Sequence, residues 1–144
     1  DLDGFKQVND RFGHLEGNRV LKLFAQKLKD VCREYDYVAR MSGDEFVIVL
    51  PGLSPDASLT RTLQLMALAQ EVGREVTGED ILSLSVGYSR YPGDGLDAEQ
   101  LLAEADKLRR ALIALDPRER STTPPAERAR PRPASKQPAA KPSA

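Results

Sequence analysis

Four carboxylates at two places in this chain have the types and spacing for chemistry. Asp1 and Asp3 lie two apart, so in an extended segment both side chains leave the same face. Asp44 and Glu45 are adjacent at what reads as a hairpin connection, where the turning backbone lets neighbours do different work. Hard carboxylate oxygens near turns suit Mg²⁺, which uses one or two protein carboxylates and completes its shell with water and substrate phosphates. Two such loops brought together would hold a metal at a triphosphate. Between them Gly4-Phe5-Lys6 leads towards a short helix, whose first N–H groups, with the lysine, suit phosphate oxygens. Acidic residues also serve turns and caps by satisfying free backbone groups, and spacing alone leaves both roles open.

The elements that must position these residues show as periodicities. Gly17 to Val31 sets Val20, Leu21, Phe24, Leu28 and Val31 at helical spacing, which predicts an amphipathic helix. Tyr37 to Met41 and Phe46 to Leu50 are β-rich runs; Ser42-Gly43-Asp44-Glu45 would join them as a hairpin with a four-residue connection. Pro51-Gly52 ends the second run, and Ser54 or Asp56 caps a helix to about Val72, with Gly73 near its close. Ile81 to Tyr88 reads as a strand, Tyr91 to Gly95 as a turn-rich loop, and Asp97 to about Leu115 as a closing helix. Helices interleaved with strands and a hairpin predict a two-layer α/β (α+β) fold with a mixed sheet.

Composition bounds the rest. The chain has 144 residues, 40% hydrophobic and 30% charged, with one cysteine, which fits one soluble domain. No apolar run is longer than that of Phe46 to Leu50, which is far too short to span a membrane. Cys32, beside Val31 at an apolar helix end, has no intrachain partner and reads as packing. A reducing, cytoplasmic compartment is expected. The formal net charge of −1 divides into an acidic body, residues 1–116, and a basic tail, residues 117–144, which holds seven of the ten prolines. That tail has only alanines to bury and is expected to be disordered. Its Arg128, Arg130 and Arg132 suit an acidic surface or nucleic acid, but without interleaved aromatics a solvated linker is the expectation and no nucleic-acid partner is assigned. Starting without Met inside what looks like a functional loop, the sequence reads as part of a longer parent.

Asp1-Leu2-Asp3-Gly4-Phe5-Lys6-Gln7-Val8-Asn9-Asp10, Phe12-Gly13-His14, Gly17 and then Ser42-Gly43-Asp44-Glu45-Phe46 resemble, in order, the GGDEF domain of diguanylate cyclases; Leu84-Ser85-Val86-Gly87 and Ala105-Asp106 resemble its last core strand and closing helix. The resemblance covers roughly residues 1–115. It implies a palm-like fold related to nucleotide cyclases and ferredoxin-like sheets, and condensation of two GTP into cyclic di-GMP with one nucleotide on each subunit of a homodimer. Asp1 through its carboxylate, Leu2 through its carbonyl and Glu45 would bind Mg²⁺ or Mn²⁺. Asp44 would assist deprotonation of the attacking ribose hydroxyl. Phe5 and Lys6 would line the phosphate loop, Ser42 and Gly43 would also contact the substrate, and Asn9 and Asn18 would stand at the guanine. His14 would stand near the nucleotide, in a turn-stabilising or a direct role; no second His or Cys accompanies it for zinc.

The sequence departs from the family at several of these places. Asn18 stands where the family usually has Asp, and an amide offers one acceptor and two competing donors to guanine's N–H edge. Ser42 replaces the first glycine of the signature. Ile113 and Pro117 occupy the positions of a Lys and an Arg that grip the triphosphate; Arg109, Arg110 and Arg118 are the nearby cations. The strand that would deliver Asp1 precedes the first residue, so neighbouring strands are expected to have unpaired edges. Arg33-Glu34-Tyr35-Asp36, five residues ahead of the signature, has the form of the family's product-inhibition site, in which a guanidinium fork and a carboxylate engage cyclic di-GMP; as a bare tetrapeptide it is also an ordinary i,i+3 ion pair. Three readings follow: a cyclase, a degenerate domain sensing cyclic di-GMP or holding GTP, and a nucleotidyl transferase accepting another purine.

Overall fold

The computed structural model describes residues 1–116; the tail readings, with Pro117 and Arg118, fall outside them. The order is β1 (Leu2–Asp3), α1 (Phe5–Phe12), α2 (His14–Val31), β2 (Tyr37–Ser42), β3 (Glu45–Val49), α3 (Pro55–Thr77), β4 (Ser83–Leu84) and α4 (Ala98–Leu115). Two antiparallel ladders form, β1 with β4 and β2 with β3. They meet where the Leu2 N–H donates to the Asp44 carbonyl at 3.1 Å.

The apolar stripe foreseen on α2 is the centre of the core. Val20, Phe24 and Leu28 are at most 1% exposed and pack with Leu65, Ala69 and Val72 of α3 and with Leu2, Leu82 and Leu84. Burying a side chain such as Phe24 contributes about 1.5–3 kcal/mol. Its ring meets Phe46 of β3 edge-on, with centroids 5.1 Å apart, which ties the hairpin to α2. Arg11 at the end of α1 donates twice to Glu79, at 2.8 and 2.9 Å, holding α1 to the connection after α3.

Several boundaries differ from the sequence reading, for identifiable reasons. The hairpin connection is two residues, Gly43 and Asp44, because Ser42 and Glu45 pair across a bulge that follows Arg40. Helix α2 starts at His14, and Gly17 is buried inside it, where a Cβ would lie 1.8 Å from the Asn9 side-chain oxygen. Gly73 does not close α3; it sits within the helix, where an added Cβ would lie 3.1 Å from the Leu82 Cβ, and Gly78, at φ 76°, is the cap. The run from Ile81 to Tyr88 is strand only at Ser83–Leu84, because among the described residues only β1 gives it a ladder partner. Beyond that point a groove of about 840 Å³ separates β3 from residues 84–91, so the facing edges are unpaired, as expected. Helix α4 starts as foreseen, capped by Asp97, whose carboxylate accepts from the Gln100 N–H. It buries no residue fully.

Candidate functional site

The ladder places the first carboxylates. Asp1 and Ser85 exchange both backbone bonds, at 3.1 and 3.0 Å, so Leu2 opposite Leu84 is a non-hydrogen-bonded pair and turns its N–H and carbonyl to the other side. That side is the β2–β3 turn. Asp1 and the Leu2 carbonyl therefore stand beside Asp44 and Glu45, far away in sequence. Gly43, at φ 44°, turns the hairpin; the Arg40 Nε donates to its carbonyl at 2.7 Å, and the Ser42 hydroxyl reaches the Glu45 carboxylate at 3.5 Å.

Asp1 and Asp3 share a face as foreseen, but their surroundings differ. Asp3 accepts from the hydroxyls of Ser83 on β4 and of Ser85 just after it. Asp1 faces α4 and accepts from the Arg109 Nη1 at 2.8 Å, the pair being about three-quarters buried. Among the described residues no group of three or more His, Cys, Asp or Glu is arranged to hold a metal ion, so there is no all-protein cage. Two carboxylates and a carbonyl beside an open groove do fit Mg²⁺ or Mn²⁺, which leave most of their shell to water and phosphate oxygens.

Gly4 makes the turn into α1. Its φ is 87°, and a Cβ would come 2.1 Å from the Ile81 carbonyl oxygen, so a side chain is excluded by both conformation and space. The turn leaves the first N–H groups of α1 without a side-chain cap, next to half-buried Phe5 and exposed Lys6. Asn9 presses on Gly17, and Asn18 follows exposed on α2; the two asparagines share the α1–α2 junction. His14 is exposed at the first position of α2.

A second cluster lies at the far end of α2. The Asp36 carboxylate has no exposed surface. It accepts from the Arg33 backbone N–H at 2.8 Å, from Nη2 at 2.7 Å and from Nε at 3.1 Å. These Arg33 bonds hold its carboxyl below the usual carboxylate range, against the opposing effect of desolvation. Arg33 also donates to the Pro51 carbonyl at 3.0 Å and stacks on Tyr35. This is more built than a bare surface pair. Sequence spacing missed its third member: Arg61 of α3 lies 3.8 Å from Asp36 and donates to the Val31 carbonyl at 2.8 Å. No local signal marks Arg61, since its partners come from another element. Burial pushes the Cys32 thiol up, and Arg61 approaches it at 3.6 Å, in keeping with a packing role.

Residues 1–113 match the family model "Diguanylate cyclase, GGDEF domain". The chain is 38% identical over 109 residues to the diguanylate cyclase DosC of Escherichia coli (strain K12), covering 74% of this chain and 24% of that enzyme. It spans less than a third of the length of the curated relatives it matches. A sensory box/GGDEF family protein from Caulobacter crescentus superposes with a TM-score of 0.66 at 33% identity, over 79% of this chain and 75% of that one. A microbial GGDEF domain described in its interaction with bis-(3′,5′)-cyclic di-GMP superposes with a TM-score of 0.63 at 31% identity, over 79% and 67%. With Asp1 and the Leu2 backbone set beside the hairpin turn and the family's sequence running to residue 113, the chain belongs to the GGDEF family of diguanylate cyclase domains.

Proposed function

We propose that this domain condenses two GTP into cyclic di-GMP, each copy of a cytoplasmic homodimer presenting one nucleotide. The observation that carries the reading is the 3.1 Å bond from the Leu2 N–H to the Asp44 carbonyl, which sets Asp1 and the Leu2 carbonyl against the Asp44–Glu45 turn. Asp1, Leu2 and Glu45 hold Mg²⁺ or Mn²⁺, which when bound neutralises triphosphate charge and acidifies the attacking hydroxyl. Asp44 accepts that hydroxyl's proton. The uncapped start of α1, with Phe5 and Lys6, receives phosphate oxygens beside Ser42 and Gly43, while Asn9 and Asn18 face the base and His14 shapes the turn beside it. Cyclic di-GMP binds at Arg33 and Asp36, with Arg61 as a further cation.

The second reading, a degenerate domain that binds cyclic di-GMP without turnover, has its own support in uncharged, half-buried Ile113 and in Asp1 being paired to Arg109. Cyclic di-GMP formation from GTP and Mg²⁺ by the full-length protein separates the two. Product that disappears in both Asp44→Ala and Glu45→Gln supports the cyclase. No product, with cyclic di-GMP binding lost in Arg33→Ala, supports the sensor. Incorporation of ATP in place of GTP would trace to Asn18.

A further inference from the structure

Arg109 carries a cation from α4 to the metal corner. Its guanidinium spans two carboxylates: Nη1 reaches Asp1 at 2.8 Å, and Nη2 reaches Asp106, one turn back on α4, at 2.7 Å. Arg110 takes the other oxygen of Asp106 at 2.7 Å, but it is 74% exposed and turned to solvent, against 23% for Arg109. The reach depends on Gly87. A Cβ there would lie 1.9 Å from the Ala105 carbonyl oxygen and 2.8 Å from both the nitrogen and the Cβ of Arg109, so α4 approaches the chain after β4 backbone to backbone. No charged side chain is available at Ile113 to hold a triphosphate. A guanidinium fork on a partly buried carboxylate is also a fork suited to phosphate oxygens.

We infer that Arg109 is the triphosphate-binding cation of α4: it holds the Asp1 carboxylate until nucleotide arrives and then passes that arm to a phosphate oxygen. This rests on the reading of Asp1 and Glu45 as metal ligands. While Arg109 occupies Asp1, a dication there meets a neighbouring positive charge, so ion binding without nucleotide is weakened. With a triphosphate present both cations have anionic partners. Ion and nucleotide are thereby coupled through one side chain.

The test uses the full-length protein with Mn²⁺ alone, read by the spin resonance of the free ion, and 3′-deoxy-GTP with Mg²⁺, which binds but cannot attack. Arg109→Leu should tighten Mn²⁺ binding without nucleotide about ten-fold and weaken 3′-deoxy-GTP binding about ten-fold or more. Arg109→Lys, which keeps the charge and guards against misfolding, should stay close to wild type for Mn²⁺ and fall between the two for nucleotide. Arg110→Leu removes the same charge at an exposed position and should change neither. A folded Arg109→Leu protein with unchanged or weaker Mn²⁺ binding, or with unchanged nucleotide binding, overturns the inference. If Glu45→Gln binds Mn²⁺ as wild type does, or neither wild type nor Arg109→Leu binds Mn²⁺, the metal-site reading fails and this inference with it.

Discussion

Two arginine–carboxylate pairs mark the two corners of this domain, and they are built differently. Arg33 and Asp36 are three residues apart, joined by backbone and side-chain bonds within one turn, with the carboxylate wholly enclosed. Asp1 and Arg109 come from opposite ends of the described chain and meet only because α4 lies against Gly87. A local pair forms with its turn, whereas a long-range pair needs the whole arrangement of β1, β4 and α4. The Arg33 corner should therefore be robust and the Asp1 corner conditional.

The sharpest way to break that comparison is to disable one corner and read the other. Glu45→Gln should lower cyclic di-GMP formation by about a hundred-fold or more while calorimetry finds cyclic di-GMP binding unchanged. Arg33→Ala should do the reverse, weakening cyclic di-GMP binding by about ten- to a hundred-fold with Mn²⁺ binding unaffected. Gly87→Ala tests the conditional corner through packing alone. Separating α4 from the chain after β4 should cost about 1–3 kcal/mol in denaturant unfolding and raise nucleotide-free Mn²⁺ binding, with the Arg33 corner intact.

The same contrast explains what was legible in the residues. The carboxylates, the R-x-x-D turn and the α2 stripe are local patterns; the turn and the stripe form where their spacing puts them and Asp44 sits in the hairpin connection, whereas Glu45, read as part of that connection, falls on β3. Arg61 and Arg109 were not singled out as partners, because each meets its carboxylate across elements and no spacing along the chain encodes that meeting. Gly17 and Gly73 read as helix ends because a glycine's backbone freedom is visible in sequence, whereas the Asn9 and Leu82 atoms that press on them are not. The residues after Ile81 read as a longer strand than forms for a related reason: β-propensity needs a ladder partner, and β1 supplies one for only two residues.

A smaller effect sharpens the local side. Asp36 is held below the usual carboxylate range chiefly by the Arg33 bonds, so its folded form binds its proton less readily than the unfolded chain does. The resulting stabilisation is fully present above the ordinary carboxylate range and is lost as pH falls through the depressed value. Carboxyl NMR titration should find the Asp36 midpoint below the ordinary carboxylate range, and Arg33→Ala should return it towards that range.

The most direct measurement of the central claim is cyclic di-GMP production from GTP and Mg²⁺ by the full-length protein, with Asp44→Ala as the blank. Product above the blank is the expected result and establishes that the corner of Asp1, Asp44 and Glu45 works despite the uncharged Ile113. No product, in a protein that still binds cyclic di-GMP through Arg33, would contradict the cyclase reading and make this domain a receptor.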